Sequence, residues 1–108
     1  MISVFDRLSF GRAIPDGGEV TDADWRAFEA GVVAPRFPAG FTSYRAEGAW
    51  RDATTGETIR EPTIVLEVAH DGSPEVQTAL NEVAQTYKSL FRQDAVMRAT
   101  IPVRVDFI

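Results

Sequence analysis

The 108-residue sequence has no cysteine, which excludes disulfides, thiolate catalysis and cysteine-based zinc sites. Histidine occurs once, at His70, and lysine once, at Lys88; the other basic residues are arginines. One imidazole beside Asp71 falls short of the three or four ligands a metal site needs, so no metal is expected. "HDG" reads instead as a turn near a helix cap. Ser9, Ser43, Ser73 and Ser89 have only His70 as a candidate base, and no spacing joins them into a triad. An excess of positive charge is also missing. The net charge of -5 argues against a phosphate-tracking surface and hence against nucleic acid as a partner. "GRAIPDGGEV" matches neither a P-loop nor a dinucleotide fingerprint, and "GEVTDAD" lacks EF-hand spacing, so no cofactor is expected. Long apolar runs are absent. "MISVFDRLSF" is interrupted by Asp6 and Arg7 and does not read as a signal peptide, and nothing elsewhere is long enough to span a membrane. The expectation is a soluble, cytoplasmic chain.

Hydrophobic residues at 44% and charged residues at 25% are ordinary for a globular protein. The length, with no internal repeat or linker, predicts a single domain over residues 1–108. Residues 4 to 14 alternate Leu8 and Phe10 against Arg7 and Ser9, the period of a half-buried strand. Thr21 then caps a helix whose first turn carries Asp22 and Asp24, where the helix dipole favours negative charge. Trp25, Phe28 and Val32 form its apolar stripe, which runs to about Ala34 before Pro35 ends or kinks it. A strand over about 41 to 51, a hairpin loop and a strand over about 59 to 70 follow. Ser73 and Pro74 open a second helix with Val76, Leu80, Val83, Ala84, Tyr87, Leu90 and Phe91 on one face. A last strand over about 96 to 107 contains Pro102, which suggests a bulge or an edge position.

The order β-α-β-β-α-β predicts the ferredoxin-like α+β fold, a four-stranded antiparallel sheet with both helices on one face. The other sheet face is left open. With Leu8, Phe10, Ile64 and Leu66 toward the helices, that face receives Arg7, Ser9, Gly11, Val65 and Glu67. None of these stacks a base, as an RNA-recognition sheet requires.

The stretch "GAWRDATTGETIREP" forms the central hairpin. A turn at Ala53 to Gly56 sets Trp50 opposite Ile59 and Arg51 opposite Thr58. An unbroken register sends Tyr44 and Trp50 to the open face and turns Arg45 toward the helices; a bulge near Gly48 or Pro62 reverses the faces beyond it. Both registers remain open at this point. Arg12, Trp50, Arg51, Arg60 and Glu61 are the candidate ligand-binding residues: an aromatic wall, guanidiniums for an anionic or aromatic molecule, and a carboxylate.

The segments "SFGRAIPDGGEVTDADWRAFEAGVVAPRFPAGFT", "GAWRD", "REPTIVLEV" and "YKSLFRQDAVMR" together resemble the bacterial proteins grouped as domain of unknown function 3574, over about residues 8 to 108. The resemblance implies that Phe10–Arg12, Pro35–Pro38, Trp50–Asp52 and Arg60–Pro62 belong to the family pattern. It carries no catalytic role. Its relatives are often exported, so an exported mature form also fits.

Three functional readings follow. The first is a noncatalytic ligand-binding or protein-interaction domain that covers its open sheet face as a homodimer. The second is a cofactor-independent acid–base enzyme using Glu61 or Glu67 with Arg12 or Arg51 on a small anionic or aromatic molecule. The third is a module that lends a sheet edge or its first helix to another protein.

Overall fold

The computed structural model describes residues 1–108. Four strands, β1 (Val4–Gly11), β2 (Thr42–Arg51), β3 (Thr58–His70) and β4 (Met97–Pro102), form one antiparallel sheet in the order β2-β3-β1-β4. The helices lie between β1 and β2 and between β3 and β4. This is the ferredoxin-like arrangement. No helix is long and apolar enough to cross a membrane.

The first helical segment, α1 (Asp22–Phe28), starts with a full capping box: Thr21 accepts from the Asp24 N–H, and Asp24 accepts from the Thr21 N–H. It continues through a π-helical turn, Glu29–Val33, into the short α2 (Ala34–Arg36). The wide turn accounts for Pro35. A proline ring clashes with the carbonyl four residues back in a regular helix, and opening the turn relieves that clash without ending the helix. The extra residue also rotates the apolar stripe, so that Val33 is fully buried and the expected Val32 only half-buried.

The helix α3 (Pro74–Phe91) is capped by Ser73 as expected and buries Leu80, Val83 and Tyr87. Leu90, expected in the same stripe, is 59% exposed. Phe91 takes the inner position at that turn, with its ring 4.9 Å from Tyr87 and 6.1 Å from Phe28. Phe10, Trp25, Phe28 and Tyr87 form an aromatic cluster of tilted and edge-to-face pairs against Leu8, Ile64, Leu66 and Val68 from the sheet.

Two strands are shorter than the alternation suggests. The first ends at Gly11, and Ala13 then bridges to Glu19 across a small loop. The last ends at Pro102 because β1 offers no partner beyond Val4, which pairs with Pro102. Beyond it only the Val103 N–H finds a backbone acceptor, the Ser3 carbonyl.

The β2–β3 register is unbroken: Trp50 faces Ile59 and Arg51 faces Thr58, with no bulge at Gly48 or Pro62. Arg45 does lie on the helix side. It is tolerated because β2 is an edge strand: the side chain stays 66% exposed and its guanidinium meets Asp22 at 2.5 Å. Residues 58–61 of β3 pair only with β2, since β1 stops opposite Thr63 and the last backbone bond on that side runs from the Arg12 N–H to the Pro62 carbonyl. The hairpin therefore continues as a two-stranded arm, and the molecule measures 47 × 28 × 25 Å. At its tip the Asp52 carboxylate accepts from the N–H groups of Thr54 and Thr55, and Gly56 takes φ +74°.

Candidate functional site

Alternation and register divide the five sequence-selected residues among three places. Trp50 and Glu61 share the open face, on neighbouring strands of the arm. Arg51 and Arg60 share the opposite face of the arm, where Arg60 pairs with Glu47 at 2.9 Å. Arg12 is buried between the layers: its Nε donates to the Val20 carbonyl at 2.8 Å and a terminal nitrogen to Asp22 at 2.9 Å. That pairing, with help from Arg45, holds the Asp22 carboxyl below the usual carboxylate range. The structure does not bring the three arginines to Trp50.

Trp50 and Glu61 instead line an open cleft of about 710 Å³, with Ser9, Thr63, Gln93 and Met97. Trp50 is 54% exposed and supplies an aromatic wall. Gln93 donates through Nε2 to the Ala13 and Phe91 carbonyls, which leaves its Oε1 as a free acceptor. The floor is Gly11. A Cβ built there stands 2.4 Å from Glu61 Oε1 and 3.4 Å from Gln93 Oε1. Two acceptor oxygens therefore converge over a glycine that leaves room for them. This geometry receives a hydrogen-bond donor, and the cleft has no guanidinium in its lining to receive an anion. Tyr87 supports the floor from the core side, its hydroxyl donating to the Gly11 carbonyl at 2.6 Å. Burial pushes its phenol well above the ordinary range, so it is a permanent donor.

The rest of the open face is mixed. Tyr44, Met97 and Ile101 are 42%, 63% and 39% exposed. At the centre Arg7 and Glu67 sit opposite one another, joined at 2.9 Å, and the Tyr44 hydroxyl donates to the same carboxylate at 2.8 Å. That bond raises the Tyr44 phenol above its ordinary value.

A second polar constellation lies on the helix side. Asp6, fully buried, accepts from His70 Nε2 at 2.5 Å, from Arg98 Nε at 2.9 Å and from the Thr100 hydroxyl. Burial alone pushes its carboxyl up, but the bonds from Arg98, Thr100 and His70 outweigh it and hold the group below the ordinary range. His70 Nδ1 accepts from the Gly72 N–H at 3.0 Å, which fixes the ring as the neutral Nε2–H tautomer. His70 is thus an interior residue at the end of β3, partnered by Asp6 and not by Asp71, which accepts from the Ser73 N–H. A pocket of about 420 Å³ beside it is lined mainly by apolar groups such as Phe37, Pro38, Val68 and Val76. Both imidazole nitrogens are already engaged, so the ring has no free atom for acid–base work in that pocket. The sequence signal for this network was Asp6 itself, a charge in phase with Leu8 and Phe10.

The model of the family described as "Protein of unknown function (DUF3574)" matches residues 6–107. No curated protein sequence matches the chain. Among solved structures, a phage SAM lyase in complex with S-methyl-5'-thioadenosine superposes with a TM-score of 0.68 at 12% identity, over 93% of this chain and 81% of that one. The same lyase in its apo state gives 0.67 at 11%, over 94% and 81%. The B. subtilis GlnK–ATP complex gives 0.54 at 10%, over 94% and 84%. At these identities the likeness is one of fold.

Proposed function

The chain belongs to the DUF3574 family, and from that premise we propose a noncatalytic ligand-binding domain that pairs with a second copy through its open sheet face. The observation that carries the ligand site is the convergence of Glu61 Oε1 and Gln93 Oε1 over Gly11, beside the exposed indole of Trp50. Such a site takes a planar molecule bearing a hydrogen-bond donor, stacked on the indole. Its acidic lining favours a neutral or cationic ligand over a phosphorylated one. An uncharged nucleoside has this chemistry. A protein of the same fold is described with an uncharged nucleoside, S-methyl-5'-thioadenosine, which supports the class.

The pairing rests on apolar residues left exposed along both edges of the face, Tyr44 on β2 and Met97 and Ile101 on β4, which water covers poorly and a second copy can cover. Arg7 and Glu67 side by side at its centre make the face self-complementary, as a twofold contact requires. The acid–base reading needs Arg12 or Arg51 beside Glu61 or Glu67; Arg51 lies on the other face of the sheet from both carboxylates, and Arg12 is buried against the Val20 carbonyl and Asp22.

Titration calorimetry with S-methyl-5'-thioadenosine tests the site. Base–aromatic stacking contributes about 1–3 kcal/mol, so Trp50→Ala weakens binding roughly 5- to 150-fold. The melting temperature stays within a few degrees, because Trp50 is exposed. No heat of binding at millimolar nucleoside, or equal binding by Trp50→Ala, removes this ligand assignment.

A further inference from the structure

On β4 the residues facing the open side are Met97, Ala99 and Ile101. The alternation does not stop where the sheet does. Val103, Val105 and Phe107 continue the same apolar row, with Arg104 and Asp106 between them, yet this segment has no strand beside it. Phe107 is 86% exposed. Val103 and Val105 are already half-buried, so Phe107 is the member of the row left to be covered by something other than its own strands.

The row and the cleft lie at opposite ends of the sheet. The segment leaves beside Ser3, at the start of β1, while the cleft floor is Gly11, at its end. Two sheets placed face to face about a twofold axis running across the strands bring these opposite ends together. An axis along the strands would leave Phe107 in water. At about 3.3 Å per residue, residues 103–107 reach about 17 Å beyond the strand. On the pairing proposed above, we infer that this segment of one copy closes the cleft of the other, with Phe107 forming the second aromatic wall opposite Trp50. The site is then complete only in the pair, and a planar ligand is held between an indole from one chain and a phenyl ring from its partner.

Because the chain lacks cysteine, single substitutions report this contact cleanly. Phe107→Cys and Ala95→Cys, both at exposed positions with Ala95 lining the cleft, are mixed and oxidised while light scattering follows the mass. The expected result is a disulfide between the two variants, favoured about a hundred-fold over random collision because held groups meet at millimolar effective concentration. A dimer that forms no such disulfide overturns the inference and leaves the pairing intact. A monomer removes the pairing and the inference with it. An intramolecular bridge in a chain carrying both substitutions overturns the inference by showing the segment folded onto its own cleft.

Discussion

Replacing Asp6 by Asn tests how the buried network holds β1, β3 and β4 to α3. The carboxylate accepts from His70, Arg98 and Thr100 at once, and Arg98 also bonds Gln77 on α3. Asn offers one acceptor oxygen and an amide that is itself a donor, so it faces donors with a donor and leaves the guanidinium uncompensated. Removing one partner of a buried ion pair costs about 3–5 kcal/mol. The Arg98 side chain keeps 27% of its exposure and so part of its hydration, which places the expected loss near the lower end, at about 3 kcal/mol. At about 4–8 °C per kcal/mol for a domain of this size, the melting temperature falls by about 12–24 °C. Circular dichroism melts and urea titrations measure both quantities. The pH dependence has a definite sign. The Asp6 pKa is depressed in the fold, so its contribution is complete above the ordinary value of 3.8 and disappears as pH falls through the folded-state value. Asp6→Asn should therefore lose less stability than the native chain over that acid range. Replacing Asp6 and Arg98 together by Leu should recover part of the loss, because no unpaired charge is left behind. A loss under about 1 kcal/mol for Asp6→Asn would refute the reasoning, since it is no larger than an ordinary substitution.

Tyr87→Phe deletes the donor to the Gly11 carbonyl and should cost about 1–1.5 kcal/mol in chemical denaturation, with the fold retained. Gly56→Ala places a Cβ at φ +74° and should lower stability by about 1–2 kcal/mol; an unchanged melting temperature would argue against the turn described. Gly11→Ala should change stability little, because the new methyl meets the mobile end of Glu61. It should instead weaken nucleoside binding by about 1.5–3 kcal/mol as the carboxylate is displaced, read by calorimetry.

The element order, the caps at Thr21 and Ser73 and the pairing of Trp50 with Ile59 were legible because each depends on neighbours in sequence or on strict alternation. The choice between the two hairpin registers was not, because it turns on whether Arg45 finds a partner. That partner, Asp22, lies 23 residues away on another element. The π-turn escaped for a related reason: Pro35 signals a disturbance, and the way the helix absorbs it depends on what Val33 packs against. Among the candidate residues, proximity along the hairpin suggested one cluster, while strand alternation puts Arg51 and Arg60 behind the sheet from Trp50 and Glu61. Gln93 and Met97 enter the cleft from segments thirty or more residues beyond Glu61, where no local pattern marks them.

Light scattering at micromolar concentration, on the native chain and on Ile101→Glu, tests pairing through the open face most directly. Ile101 sits on an edge strand, 39% exposed, so a carboxylate there leaves the fold intact and burdens only a covered face. The account predicts twice the chain mass for the native protein and the single mass for the variant. A native monomer, or a dimer that Ile101→Glu leaves unchanged, would contradict it.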